Sequence, residues 1–151
     1  MPKAPINGIE LYYESHGDHS APAIVFAHGR GGNHLSWWQQ VATFGNEYHC
    51  VTFDHRGWGD SGVEPGSPLR ENFIGDLTAL LDYLKIDKAF LVAQSMGGFS
   101  CLGFALAHPE RTLGLVLGDT TGGVATEGTL TALRNTNPPP DGPARSLSAS
   151  F

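Results

Sequence analysis

Residues 91–98 read Leu-Val-Ala-Gln-Ser-Met-Gly-Gly, and this stretch decides the fold. An apolar strand ending at Ala93 gives way, across Gln94 and Ser95, to a helix opened by Gly97 and Gly98. A serine at such a junction stands on a sharp backbone turn that exposes its hydroxyl, and it becomes a nucleophile once a base can take its proton. Gly97 has no side chain and so allows the close helix approach that the turn requires, while Ala93 keeps the other side small. The plainer reading of Ser95 is a helix N-cap, a position serine favours. The Ser-x-Gly spacing does not discriminate, since Ser15-His16-Gly17 has it too; the strand before and the helix after do.

Outward from Ser95, four apolar runs barely alternate: Ala23–Ala27 and residues 50–53, 89–93 and 113–118. Such runs are expected of parallel strands whose two faces are covered by crossover helices. Helix signals lie between them. Ser36 stands three residues before Gln39 in capping-box spacing, ahead of Val41 and Phe44, and Gly45 can end that helix. Ser67-Pro68 precedes Phe73, Ile74, Leu77, Leu80, Leu81 and Leu84 at helical spacing. Residues 96–107 are apolar nearly all round, which predicts a helix buried against the sheet. Near the N-terminus, Asn7-Gly8 predicts a type I′ hairpin joining a short first strand to residues 9–14. The fold class expected is therefore α/β, an open, mostly parallel sheet with helices on both faces.

The alternation lapses after Asp119. Residues 120–128 are small and polar, 129–134 have room for one or two helical turns, and 135–151 read as loop with three consecutive prolines. Core is expected over residues 1–123, and residues 124–151 read as the start of a lid or a disordered tail. The sheet is expected to stop after its sixth strand, leaving residues 113–118 as an apolar, unpaired edge, so that the chain reads as truncated.

A length of 151 residues suggests about one domain. A net charge of -6, with nine Lys and Arg that form no cluster, argues against nucleic acid and anionic membrane as partners. No run approaches the roughly 18 to 20 apolar residues of a membrane span, and nothing near Met1 resembles a signal peptide, so a cytoplasmic location is expected. Cys50 and Cys101 sit in apolar segments without metal-ligand spacing and read as buried thiols; no metal and no cofactor is expected. Oligomeric state is left open.

Two loops complete the constellation. Ala23–Ala27 runs into His28-Gly29-Arg30-Gly31-Gly32, whose backbone N–H groups can face the same cleft as Ser95. A tetrahedral intermediate needs such donors, each worth about 2.7 to 4 kcal/mol in barrier height; the N–H of Met96 would be one and that of Arg30 the other. His28 reads as a structural histidine bonded to its loop, with general base as the alternative. His28, Gly29, Gln94 and Gly97 are expected to line the pocket or its loops. The second loop, residues 54–62, contains Gly57-x-Gly59-x-x-Gly62, the dinucleotide-binding spacing. That fingerprint should open a helix directly, yet Glu64-Pro65-Gly66-Ser67-Pro68 follows, so a loop shaping the cleft floor is the preferred reading.

In this order and spacing the three elements resemble the α/β-hydrolase fold superfamily across about residues 1–120. His28-Gly29 resembles its oxyanion loop, residues 54–62 its loop after the fourth strand, and Ala93-Gln94-Ser95-Met96-Gly97 its nucleophile elbow, with Ala93 in place of the usual glycine. Members that open epoxides or cleave carbon-halogen bonds carry Asp at the nucleophile position, so Ser95 points to the serine branch: carboxylesterases, lactonases, carbon-carbon bond hydrolases and cofactor-free perhydrolases. The implied substrate is a small ester-like or related acyl compound. The superfamily order is nucleophile, acid, base; Asp119, at the end of the sixth strand, is a candidate acid as well as an ordinary turn residue. None of the seven histidines (16, 19, 28, 34, 49, 55, 108) follows it. Loss of a triad histidine costs on the order of 10⁶ in kcat in a serine protease, so negligible turnover is expected of this chain alone. Three readings stay open: part of a serine hydrolase, a non-catalytic binding or interaction protein on the same fold, and a nucleotide binder using Gly57 to Gly62.

Overall fold

The structure is a computed structural model that describes residues 2–66, 69–124, 126–128 and 131. Asn7 and Gly8 both take positive φ, 46° and 80°, the backbone that a type I′ turn demands of its two central residues. They join β1 (Lys3–Ile6) to β2 (Ile9–His16), antiparallel, with Ile6 opposite Ile9. β2 runs two residues beyond the expected 9–14 because Ser15 and His16 go on pairing, opposite Val51 and Cys50 of β4 (His49–Phe53).

The near-continuous apolar runs become parallel strands. β3 (Ala23–Ala27) lies between β4 and β5 (Ala89–Gln94), and β5 pairs with β6 (Thr112–Gly118), giving the spatial order β1-β2-β4-β3-β5-β6. Side chains alternate between two faces, as the pleat requires. Val25, Ala27, Val51, Phe53, Leu91 and Ala93 pack with Leu77, Leu80 and Leu81 of α2 (Phe73–Tyr83) and Cys101 and Phe104 of α3 (Gly97–Ala107). Ile24, Phe26 and Cys50 face the other way, against Trp37 and Val41, where α1 (Trp38–Phe44) lies. The expected sheet with helices on both faces is present, and both cysteines are buried free thiols.

Local expectations meet the structure differently along the chain. The first helix is capped by Asn33, not Ser36: Asn33 is extended (φ -152°), its side chain accepts from the Leu35 N–H, and Ser36 returns the bond as its capping-box partner. The chain thus enters a single 3-10 turn, His34–Trp37, before α1 begins without a side-chain cap. The proposed cap Ser67-Pro68 lies outside the described residues; α2 follows a 3-10 turn at Arg70–Asn72. Among the described residues α3 is covered on one side only. Ser100, Cys101 and Phe104 are buried but Leu106 is 74% exposed, so its all-round apolar sequence is not matched by all-round packing.

β6 is the outer strand. Among the described residues it pairs with β5 alone, and Leu113, Val116 and Leu117 are exposed along it. The expected helical turns at residues 129–134 lie outside the described residues except for Thr131.

Candidate active site

Ser95 sits where β5 ends and α3 is about to begin. Its φ is 49°, the left-handed region that a non-glycine residue occupies only when its surroundings over-determine it. Three contacts do so here. The Ser95 N–H donates to the Gly118 carbonyl (3.0 Å), its own carbonyl accepts from Thr120 Oγ1 (2.5 Å), and the Gly98 N–H also donates to it (3.0 Å). The helix start is pressed against the sheet: a Cβ on Gly97 would lie 2.3 Å from the Ala27 carbonyl oxygen. Met96, not Ser95, holds the cap position of α3, with no side-chain cap bond. The Ser95 hydroxyl makes no hydrogen bond among the described residues and lines a cleft of about 1030 Å³.

Arg30, Met96 and Asp119 line the same cleft. The β5–β6 pairing brings Asp119 there, since the ladder ends with Gln94 opposite Gly118. Gly29 lies against the elbow: a Cβ on it would be 2.0 Å from Gln94 Oε1 and 3.3 Å from Ser95 Cβ. Of the residues proposed from sequence, Arg30, Ser95, Met96 and Asp119 line the cleft, whereas Gly29, Gln94, Gly97 and His28 lie outside its lining.

His28 is fully buried. Its Nδ1 lies 2.7 Å from the Gly29 carbonyl oxygen, and its Nε2 accepts from the His55 N–H at 3.1 Å. Both ring nitrogens are thus committed, and His28 lies outside the lining of the cleft, as a structural histidine does. The chain of contacts continues through the His55 ring (Nδ1 to His28 Nε2, 3.2 Å; Nε2 to Ser100 Oγ, 3.0 Å) to Ser100, whose hydroxyl lies 2.9 Å from the Gly97 carbonyl. Burial pushes His28 below the ordinary histidine range, against the pull of the Gly29 carbonyl; burial and the nearby His28 push His55 well below it. Both rings are neutral at pH 7. The oxyanion-loop candidate is held from its other side by Trp58, whose Nε1 donates to the Arg30 carbonyl (2.8 Å).

The loop of residues 54–62 does not open a helix. It folds back on β2, with Gly62 N–H donating to the Glu10 carbonyl and Tyr12 N–H to Ser61 Oγ. Buried Asp54 accepts from the His34 N–H (2.6 Å) and the Asp60 N–H (2.8 Å), with His34 Nδ1 at 3.0 Å. His34, Asp54 and Asp60 bring ligand atoms within 4.8 Å of one another, but the Asp54 oxygens are taken by these bonds, so the group acts as a loop clamp. Arg56 is also buried and forms a bidentate pair with Asp76 of α2 (2.6 and 2.7 Å).

All seven histidines lie within the described residues, and none lines the cleft. Several residues that do line it carry no sequence motif: Trp58, Leu69, Arg70, Phe73, Phe99, Thr120 and Thr121. Phe99, in the first turn after the two glycines, and Thr120, next to Asp119, were findable by position; Arg70 carried no signal.

Residues 22–140 match the alpha/beta hydrolase fold family. The chain is 35% identical over 113 residues to 3-oxoadipate enol-lactonase 2 of Acinetobacter baylyi, covering 74% of this chain and 42% of that protein. It is 36% identical to epoxide hydrolase 2 of Siraitia grosvenorii, covering 73% and 35%. Among solved structures, the enol-lactonase from Burkholderia xenovorans superposes with a TM-score of 0.71 at 34% identity, covering 76% of this chain and 45% of that one. An N-acyl homoserine lactone degrading enzyme superposes at 0.72 and 31% identity, covering 89% and 52%. The chain spans less than half the length of the curated relatives it matches.

Proposed function

The chain belongs to the alpha/beta hydrolase fold family, and on that premise we propose that it carries the nucleophile and oxyanion half of a serine hydrolase for a small ester, lactone or related acyl substrate. The observation that carries this reading is Ser95 itself, held at φ 49° at a cleft, its hydroxyl without a hydrogen bond among the described residues. Its Oγ attacks the acyl carbon, and the N–H groups of Met96 and Arg30 receive the negative charge that develops on the carbonyl oxygen. Asp119, at the same cleft, is the candidate acid that would orient a base. Residues 1–123 form the core in this reading, and 124–151 begin the lid that would shape the acyl and alcohol pockets.

The base is the part these residues do not place. A histidine from outside them would take the Ser95 proton, and without it turnover by this chain is negligible. The lack of any histidine at the cleft favours a second reading, a binding protein that keeps the fold without the chemistry.

Chemical rescue separates the two. The chain is treated with a fluorophosphonate with and without added imidazole, and adducts are mapped by mass spectrometry. Imidazole is expected to speed phosphonylation at Ser95, with none in Ser95→Ala. No adduct at Ser95 in imidazole, or equal labelling of Ser95→Ala, overturns the hydrolase reading.

A further inference from the structure

Of the four arginines among the described residues, two hold carboxylates. Arg56 is paired with Asp76, and Arg111 Nη2 lies 2.8 Å from Asp82 Oδ1. The other two, Arg30 and Arg70, make no ion pair among the described residues, and both line the cleft that holds Ser95. The chain carries a net charge of -6, yet among the described residues both arginines left without a carboxylate line the cleft of the Ser95 hydroxyl.

The Arg70 side chain and the Arg30 backbone are both held in place. The Arg70 guanidinium lies 4.3 Å from the centre of the Phe99 ring, and such stacking orients the planar group while leaving its edge free to donate. Arg30 is fixed at its backbone by the Trp58 bond to its carbonyl, and Trp58 packs in turn against Phe73, ring centres 5.9 Å apart. Among the described residues, Asp119 is the sole acidic residue lining the cleft, against two arginines. Guanidinium recognises carboxylate through paired N–H donors in a fixed fork.

We propose that Arg30 and Arg70 form an anion subsite in the cleft, so that the acyl compound bound beside Ser95 carries a carboxylate away from its scissile bond. The identity of that compound as a substrate rests on the hydrolase reading above; the preference for an anion rests on the arginines alone.

The test is a binding titration of the full chain, followed by saturation-transfer NMR, with monomethyl glutarate and with methyl butyrate, a neutral ester of similar size. The anionic ester is expected to bind about tenfold more tightly, and raising salt from about 0.05 to about 0.5 M is expected to erase most of that difference. Arg70→Gln and Arg30→Gln should each weaken the anionic ester about threefold, within the range for a solvent-exposed ion pair, and Arg70→Gln should leave the neutral one unchanged. Arg70→Lys should keep much of the preference. Equal binding of the two esters, or an undiminished preference in the doubly substituted chain shown by circular dichroism to be folded, overturns the proposal. Ser95→Ala should titrate like the parent chain, so a failed Ser95 labelling experiment and a failed anion preference are distinguishable.

Discussion

The Nδ1 of His28 lies 2.7 Å from the carbonyl oxygen of Gly29, in the peptide unit whose N–H belongs to Arg30. Because the two ends of a trans peptide point in opposite directions, gripping that carbonyl from below fixes where the Arg30 N–H points. The Gly32 N–H holds the same oxygen at 3.0 Å. His28 is thus a positioning residue for a proposed oxyanion donor. Full loss of one donor costs roughly 10² to 10³ in rate; His28→Leu, which only loosens the donor, is expected to slow imidazole-assisted Ser95 labelling about tenfold while the circular dichroism spectrum is kept.

The same pair of rings makes stability depend on pH. His28 and His55 are held below the ordinary value of 6.5 by burial, so in the folded chain they stay neutral where the unfolded chain binds protons. The unfolded state then takes up more protons below about pH 6.5, and stability falls as pH falls. Their full contribution is present above that value and is lost toward the depressed folded values. Thermal unfolding should show Tm dropping from pH 7.5 to 5, with a shallower drop in a His55→Asn variant; a flat profile would contradict the burial of two neutral rings.

Arg56 and Asp76 tie the loop after β4 to α2, and Asn7 joins them through its side-chain amide to Asp76 (2.9 Å). Removing one partner of a buried pair leaves the other uncompensated, at a cost of about 3 to 5 kcal/mol. Asp76→Ala should therefore lower the urea midpoint sharply, and Arg56→Met with Asp76→Leu together should recover a substantial part of the loss.

Gly97 marks the closest approach of α3 to the sheet. A methyl group there would meet the backbone oxygen of Ala27 at 2.3 Å, and a carbonyl in β3 cannot move aside as a flexible side chain can. Overpacking of this kind costs about 1 to 3 kcal/mol. Gly97→Ala should lower Tm and reduce Ser95 labelling together, whereas Gly31→Ala, with open space at the corresponding position, should do neither.

Much of this arrangement was legible in residue order because the signals were local. The Asn7-Gly8 turn, the four apolar strands and the Ser95 junction each depend on a few neighbouring residues. The start of α1 was misread because Ser36 and Asn33 are both good caps and only the extended backbone at Asn33 decides between them. The His28–His55–Ser100 chain and the Arg56–Asp76 pair join residues 20 to 45 positions apart, and no periodicity announces such contacts. Arg70 was missed for the same reason: only the folded chain puts it over Phe99 at the cleft.

Whether the elbow and its donors are assembled around position 95 can be measured without a histidine at the cleft. Ser95→Cys supplies a thiol that ionises near pH 8.5 unaided, and the native thiols do not compete, since burial pushes Cys101 up to about 12 and raises Cys50 as well. The variant is mixed with p-nitrophenyl acetate and the release of p-nitrophenolate is followed alongside intact mass. A burst of about one equivalent is expected, with the acetyl group at position 95, at a rate per thiolate at least about tenfold above that of a free thiol in solution and reduced when His28→Leu is added. Acylation no faster than that of a free thiol would contradict such an assembly.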